Sequence, residues 1–156
     1  FRQADFVEQV KRSLKASGAN PARLKLELTE SVLLKNVEDT IAKMLAIKRL
    51  GVAFSLDDFG TGYSSLSYLA QLPLDQLKID QSFVRKLPGA RKEETIARTI
   101  ITMGRELDMN VIAEGVESEA QRQFLEAHGC HAFQGYLFSR PLPVEHLTVF
   151  LQEADR

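Results

Sequence analysis

The sequence alternates between two hydrophobic periods, and this alternation most narrows the folds open to the chain. Short runs of branched and apolar residues have the period of β-strands, and the segments between them carry apolar residues at helical spacing. The predicted strands are Leu24–Leu28, Val52–Asp57, Gln76–Asp80, Asn110–Glu114 and Ala132–Phe138. Strands that alternate with helices predict a parallel sheet with helical crossovers.

Three apolar stripes predict the longer helices, and shorter helices are expected between and after them. The stripes are Phe6, Val10 and Leu14; Val37, Ile41 and Leu45; and Ile96, Ile100 and Met103. The shorter helices are expected at Ser64–Gln71, Glu119–His128 and Val144–Glu153. Helix ends are predicted at Gly18, Gly51 and Gly129, because glycine accepts the left-handed conformation there. Ser118 and Gln121 have the spacing of a capping box.

Two α/β folds fit this order of elements, an open doubly wound sheet and a (β/α) barrel. The strands recur about every 25–30 residues, and a full barrel usually takes about 250 residues. Five strands in 156 residues would therefore be about five-eighths of a barrel. A glycine-rich phosphate loop is missing after the first strand, which weakens the case for a dinucleotide-binding sheet.

Composition excludes several classes of protein. The net charge of −1 does not suit a surface that coats a DNA or RNA polymer. Cys130 is the single cysteine, so a disulfide within the chain and thiolate metal clusters are excluded. No apolar run is long enough to span a bilayer, and no signal peptide is present, so we expect a cytoplasmic domain. Because the chain begins at Phe1, we expect a piece of a longer protein, whose other segments could still carry a membrane anchor.

Carboxylates gather at the predicted C-terminal ends of four consecutive strands. They are Glu27 and Glu30, Asp57 and Asp58, Asp80, and Glu114 and Glu117, while Gln134 lies in the fifth strand. In parallel α/β folds this edge of the sheet carries the active site. A single carboxylate there is usually only solvated. Several on one rim would repel each other, and a bound cation is the simplest relief.

The chemistry of these side chains favours a hard metal ion. Oxygen ligands suit Mg²⁺, Mn²⁺ or Ca²⁺ rather than structural Zn²⁺. The adjacent Asp57 and Asp58 could serve two ions, with Asp57 bridging, and two ions about 3.5–4 Å apart are a known device for phosphodiester hydrolysis. Lys78 could hold the attacking water or neutralise phosphoryl charge, or it could only form a salt bridge to Asp80 or Asp58. Glu114 could be a metal ligand, a general base, or both.

The segment Asp58-Phe-Gly-Thr-Gly-Tyr-Ser-Ser65 has an unusual composition for a strand end. Gly60 and Gly62 permit backbone angles that other residues avoid, which suits a lid or gate. The alternative is an ordinary turn that enters a helix, with Ser64 as the N-cap. Glu30 could hold this loop by accepting hydrogen bonds from its backbone N–H groups.

Five motifs resemble, in order and spacing, the signature of the EAL-domain phosphodiesterase family, from about residue 5 to residue 151. The motifs are Glu27-Leu-Thr-Glu30, Asp57-Asp-Phe-Gly-Thr-Gly-Tyr-Ser-Ser65, Leu77-Lys-Ile-Asp80, Ala113-Glu-Gly-Val-Glu117 and Gln134-Gly-Tyr136. The resemblance implies a TIM-like barrel that opens cyclic di-GMP to linear pGpG. Here it would be an incomplete barrel of about five strands, with residues 1–156 as the C-terminal portion of one domain.

The resemblance also implies a role for each matching residue. Glu27, Asp57, Asp58 and Glu114 would bind Mg²⁺ or Mn²⁺, with two ions expected. Lys78 would contact the nucleophilic water, with Glu114 as the candidate base, and Glu30 would anchor the loop after Asp58. In the family that loop helps to form a homodimer interface. The expected substrate-binding residues are Asp80, Glu117, Gln134 and Pro141, with Pro141 near a guanine.

The resemblance does not extend to the start of the family domain. The strand with the Glu-Ala-Leu motif, and a second strand with an Asn ligand, have no counterpart here, which corresponds to about 90–100 residues of a barrel of ordinary size. We therefore expect sensor or GGDEF-type domains and the remaining strands elsewhere in the parent chain. The alternatives are a non-catalytic cyclic di-GMP-binding or protein-interaction module, and a Mg²⁺-dependent barrel lyase of the enolase sort.

Overall fold

A parallel sheet and its flanking helices make up the computed structural model, which describes residue 3 and residues 5–30, 36–60 and 66–154. The strands are β1 (Lys25–Thr29), β2 (Ala53–Phe59), β3 (Gln76–Ile79), β4 (Asn110–Glu114) and β5 (Ala132–Gln134). The helices are α1 (Phe6–Ser17), α2 (Val37–Lys48), α3 (Leu66–Leu69), α4 (Gln81–Val84), α5 (Arg91–Glu106), α6 (Glu119–Ala127) and α7 (Val144–Ala154), with a 3-10 turn at Pro21–Arg23.

The order of the strands distinguishes between the two α/β folds that the sequence left open. All the pairings are parallel, and the strands lie side by side in the order in which they occur in the chain. A doubly wound sheet reverses its strand order at a switch point, whereas a barrel wall does not. Among the described residues, β1 and β5 each pair with only one neighbour, so the wall is open. The architecture is an incomplete barrel of five strands, as predicted.

The two faces of the sheet differ in polarity because side chains alternate along each strand. On one face Leu28, Leu56 and Leu77 are buried with the helices in a continuous apolar core. The other face is polar: Lys25 Nζ and Ser55 Oγ both donate to Gln76 Oε1, at 3.0 and 3.1 Å. This polar face corresponds to the interior of a barrel, and the candidate site lies at its carboxyl end.

Helix α2 buries a different stripe from the one predicted. Leu45 was expected to face the core, but it is 42% exposed, and Ile41 is only partly buried. The buried residues are Thr40, Met44 and Ile47, which follow the same three- and four-residue spacing one position away. Both stripes contain apolar residues, and contact with the sheet selects the one that holds Met44 and Ile47. Helices α1 and α5 are present as predicted, and their predicted stripes pack against the core, with Ile100 buried and the others partly buried. The Ser118–Gln121 capping box is confirmed.

The fifth strand is shorter than predicted, because it ends at Gln134 rather than at Phe138. Beyond it the backbone turns: Leu137 N–H donates to Val116 O, and Phe138 N–H donates to Gly135 O. Helix α3 covers only Leu66–Leu69 of the predicted Ser64–Gln71. The proposed Ser64 cap and the lid segment beyond Gly60 lie outside the described residues. Within the described ranges, no helix is both long and apolar enough to cross a membrane.

Candidate metal centre

Four neighbouring strands deliver charged side chains to the same edge of the polar sheet face. Glu27 comes from β1, Asp57 from β2, Lys78 from β3 and Glu114 from β4. The carboxyl ends of parallel strands meet at one edge, so the order of the strands places three carboxylates around one ammonium. The sequence prediction that these residues converge is confirmed.

Lys78 lies at the centre of this group. Its Nζ is 2.6 Å from Glu114 Oε1, 2.9 Å from Glu27 Oε2 and 3.1 Å from Asp57 Oδ1. The lysine side chain is only 6% exposed. Burial alone lowers the pKa of Lys78, but the hydrogen bonds to Glu114, Glu27 and Asp57 outweigh that effect and raise the pKa. The lysine is therefore a fixed positive charge.

The ion pairs of Lys78 differ from the alternative that the sequence left open, a salt bridge to Asp80 or Asp58. They join Lys78 to Asp57 and Glu114 of the adjacent strands β2 and β4, and to Glu27 of β1. Asp80 instead follows the end of β3 and caps α4, where Asp80 Oδ1 accepts from Ser82 N–H at 2.9 Å.

A bulge in β2 allows two consecutive carboxylates to reach one site. Neighbouring residues on a regular strand point to opposite faces. Between Leu56 and Phe59 the register with β3 shifts, and Asp58 has a left-handed φ of 55°. Aspartate accepts this conformation more readily than most residues with a Cβ, which suits it to the bulge. The Asp58 N–H donates to Asp57 Oδ1 at 3.1 Å, which fixes the pair.

Asp57, Asp58 and Glu114 fit the requirements of a hard metal ion. Each offers a carboxylate oxygen, and these oxygens all lie within 4.8 Å of one another. Burial, followed by the charges of Asp57 and Asp80, raises the pKa of Asp58. Burial also raises the pKa of Glu114, against the opposing effect of Lys78. The anionic form of both groups is therefore disfavoured without a further cation, and the all-oxygen ligand set suits Mg²⁺, Mn²⁺ or Ca²⁺.

Glu27, the fourth predicted metal ligand, lies at the margin of this cluster. Its side chain is 50% exposed, and it joins the group through Lys78 rather than by direct approach to Asp57 and Asp58. Its role as a metal ligand stays a prediction.

Glu30 contacts the start of the loop after β2, as predicted. Glu30 Oε1 accepts from Gly60 N–H at 3.3 Å, and the residue is 7% exposed. The other oxygen, Oε2, is buried and has no hydrogen-bond partner among the described residues.

A small polar pocket of about 230 Å³ opens beside Glu114. The predicted substrate residues Glu117 and Gln134 line it, together with Tyr136, Gln81 and Arg85. Pro141, also predicted to bind substrate, is exposed and is not part of this lining. Sequence reasoning missed Gln81 and Arg85, because nothing in the composition of a four-residue helix distinguishes them.

Close backbone contact between two loops holds this pocket together. Val116 N–H donates to Gln134 O at 3.1 Å, and Gly135 packs directly on the backbone of Val116. Any Cβ at position 135 would overlap that backbone, so only glycine fits without a shift in one of the loops.

Replacement of Gly135 by alanine should therefore destabilise the protein by about 3 kcal/mol, the upper part of the usual range for overpacking. Urea unfolding followed by circular dichroism measures the loss. Gly18→Ala is the matched control, because Gly18 has a left-handed φ of 67° and nothing within 4 Å of an added Cβ. That control should lose only about 1 kcal/mol. Equal losses in the two variants would contradict the steric account of Gly135.

The fold is part of a barrel wall with a carboxylate cluster that could hold a metal ion, and comparison with known proteins identifies its family. The sequence profile of the EAL domain matches residues 1–141. The chain belongs to the EAL domain family, and its five strands are part of the TIM-like barrel of that family.

Similar proteins agree with this assignment. The chain is 46% identical over 150 residues to the cyclic di-GMP phosphodiesterase NbdA of Pseudomonas aeruginosa, an alignment that covers 96% of this chain and 19% of that protein. It superposes with a TM-score of 0.89 on the PaMucR phosphodiesterase in complex with c-di-GMP, at 40% identity, covering 94% of this chain and 59% of that chain. The chain therefore spans about a fifth of the NbdA sequence and about three-fifths of the PaMucR structure.

A further solved structure bears on the metal. The manganese and cyclic di-GMP complex of Klebsiella pneumoniae BlrP1 matches with a TM-score of 0.82 at 32% identity, covering 90% of this chain and 36% of that one. An acidic cluster able to bind a metal ion is thus present in this chain, and a similar domain is known with a divalent metal and the cyclic dinucleotide.

Proposed function

We propose that residues 1–156 form the C-terminal portion of an EAL domain that hydrolyses cyclic di-GMP to linear pGpG in bacterial second-messenger signalling. The observation that carries this proposal is the charged group in which Lys78 contacts carboxylates from three strands beside the Asp57–Asp58 bulge. This combination supplies oxygen ligands for metal ions and a positive charge next to them, as phosphodiester hydrolysis requires.

The metal ligands in this proposal are Glu27, Asp57, Asp58 and Glu114, which would hold two Mg²⁺ or Mn²⁺ ions. Such ions would supply a hydroxide nucleophile at neutral pH and neutralise charge on the phosphoryl group. Asp57 and Asp58 together can serve two ions, because the bulge brings both side chains to the same edge of the sheet.

Lys78 and Glu114 position and deprotonate the attacking water in this proposal. The three N–H donors of the lysine ammonium are directed at Glu27, Asp57 and Glu114, so it can donate to the water or to a phosphoryl oxygen once one of these carboxylates turns to a metal ion instead. Glu114 is the candidate general base, because its carboxylate lies 2.6 Å from Lys78 Nζ and beside Asp57 and Asp58.

The remaining site residues bind the substrate or support the site. Glu117 and Gln134 form walls of the pocket beside Glu114. Asp80, through its contact with Asp58, and Pro141 complete the proposed substrate-binding set. Glu30 acts indirectly, because it holds Gly60 and with it the loop after the metal-bearing strand.

The proposed partners follow from family membership and from the length of the relatives. A homodimer would form through the region after Asp58, and sensor or GGDEF-type domains would lie elsewhere in the parent chain, since this chain spans 19% of NbdA. A cytoplasmic location is part of the same proposal, and a DNA or RNA polymer is not among the partners.

The test is conversion of cyclic di-GMP to pGpG by the full-length parent protein. The reaction is run with Mg²⁺, with Mn²⁺ and with EDTA, and the product is measured by chromatography. We expect turnover with either metal and none with EDTA, and calorimetric titration should give two metal ions per domain. Tight binding of cyclic di-GMP without turnover in either metal would instead favour a non-catalytic receptor.

A further inference from the structure

The polar pocket beside Glu114 contains one cationic residue that neither the sequence motifs nor the metal chemistry explains. Among the residues that line this pocket, Arg85 carries the single positive charge, next to Glu114, Glu117 and Gln134. Arg85 is exposed, and within the described part of the chain its guanidinium takes part in no salt bridge or hydrogen bond. Its donors are thus available to a ligand.

The fold places Arg85 in this pocket through a helical turn. Gln81 and Arg85 are four residues apart, and Arg85 N–H donates to Gln81 O at 2.9 Å, so the two side chains share one face of the turn. Gln81 packs on the loop after β4, since a Cβ added to Gly115 would lie 2.7 Å from Gln81 Cβ. The same face therefore carries Arg85 to the pocket that the loop residue Glu117 lines.

The charges of the pocket indicate what it can hold. Two carboxylates line it, so a second phosphate would meet repulsion there that a neutral group would not. A guanine base presents acceptors at O6 and N7 and donors at N1 and N2. An arginine fork matches the O6/N7 pair, and a carboxylate matches the N1/N2 donors. Adenine places a donor where guanine has O6, so it would not satisfy the arginine.

We propose that Arg85 is a specificity-determining residue that donates to O6 and N7 of one guanine of the bound dinucleotide, with Glu117 accepting from the opposite side of the same base. This inference rests on the proposed function, because the substrate supplies the guanine. Under that function the scissile phosphate would lie at the cluster of Asp57, Asp58 and Glu114, which shares Glu114 with this pocket, so Arg85 acts on base recognition rather than on bond cleavage.

The test compares Arg85→Ala and Arg85→Lys in the full-length protein, with Arg91→Ala as the control for loss of one positive charge. Arg91 begins α5 and does not line the pocket. The measurements are KM and kcat for cyclic di-GMP, and the inhibition constant of cyclic di-AMP as a competitor. Thermal unfolding of each variant checks that the fold is retained.

We expect Arg85→Ala to raise the KM for cyclic di-GMP at least about tenfold, equivalent to about 1.4 kcal/mol. The inhibition constant of cyclic di-AMP should change less than about twofold, so the preference for guanine falls. Arg85→Lys should stay impaired, because an ammonium cannot form the two-pronged contact. Arg91→Ala should behave as the wild type.

Two results would overturn the assignment. Equal weakening of both dinucleotides would mean that Arg85 contributes general charge, and an unchanged KM in Arg85→Ala would mean no contact with the base. A wild-type protein that neither binds nor hydrolyses cyclic di-GMP would remove the proposed function itself. An active wild type with an unimpaired Arg85→Ala variant removes only the role of Arg85.

Discussion

Substitution of Asp57 by asparagine should reduce metal-dependent hydrolysis of cyclic di-GMP by more than about 100-fold. Removal of a residue that only supports a metal ligand costs about 10–100-fold in affinity or activity, so loss of a ligand should exceed that range. Asp57 is central to the cluster, because it contacts Lys78 and lies within reach of both Asp58 and Glu114.

Asparagine is the informative replacement at this position because it changes charge more than shape. Its side-chain oxygen can still accept from Asp58 N–H and from Lys78, the two contacts that Asp57 makes in the structure. We therefore expect the metal-free protein to unfold at nearly the same urea concentration as the wild type. The stabilisation by Mg²⁺ or Mn²⁺, which follows from binding to the folded state alone, should disappear.

Asp108→Asn is the matched control for Asp57→Asn. Asp108 is exposed beyond the opposite end of β4 and has a left-handed φ of 54°, a conformation that asparagine also accepts. Activity and metal-dependent stability should be unchanged in the control. Turnover within a few-fold of wild type in Asp57→Asn would contradict the assignment of Asp57 as a metal ligand.

The sequence predicted the architecture well because the fold follows from patterns that are local. Five runs of strand-type residues separated by helical stripes define a parallel sheet, and all five strands are present. The order of the strands in the sheet depends on contacts distant in sequence, so the periodicities alone could not distinguish a doubly wound sheet from a barrel. The family motifs favoured the barrel, and the strand pairing agrees with it.

The errors arose where contacts distant in sequence decide local structure. The chain after Gln134 is apolar enough to continue as a strand, yet it turns because Gly135 packs on the backbone of Val116. Likewise, Leu45 and Met44 are equally apolar, and only the position of the sheet decides that Met44 is buried.

The residues that meet at the candidate site could be predicted from the sequence, but the ion pairs between them could not. Carboxylates at consecutive strand ends must meet in a parallel sheet, so Asp57 and Glu114 were expected together. The sequence did not indicate that Lys78 would pair with three of them rather than with Asp80. It also did not indicate the bulge that turns Asp58 toward its neighbour, because a register shift depends on the adjoining strand. The sequence also did not indicate that Arg85 lines the pocket, because the packing of the short helix α4 on the loop after β4 places it there.

Substitution of Lys78 by methionine should destabilise the metal-free protein and strengthen its affinity for metal. Methionine keeps much of the length and the apolar stem of the lysine but removes the ammonium that pairs with Glu27, Asp57 and Glu114. Loss of one partner of a fully buried ion pair costs about 3–5 kcal/mol. Because Glu27 is half exposed and can be solvated, we expect a smaller loss of about 2 kcal/mol in EDTA.

Metal should restore more stability to Lys78→Met than it adds to the wild type. In the wild type, the ammonium and a divalent ion share the same carboxylates, and their positive charges repel each other. Without the ammonium, the cluster binds Mg²⁺ or Mn²⁺ about tenfold more tightly, which corresponds to about 1.4 kcal/mol. Urea unfolding in EDTA and in excess metal, together with calorimetric titration, measures both effects.

Lys25→Met is the matched control, because Lys25 lies on the same sheet face and donates to the amide oxygen of Gln76 rather than to a carboxylate. Lys25→Met should change the metal affinity and the stability in EDTA less than Lys78→Met does. Turnover of cyclic di-GMP should fall in Lys78→Met even though metal binds more tightly, because we expect the ammonium to take part in the reaction. If the lysine only balanced the charge of the carboxylates, the bound ions could replace it and turnover would be retained. A Lys78→Met variant as stable as the wild type in EDTA would show that the ammonium does not hold the carboxylates together. Full turnover would show that it takes no part in the reaction.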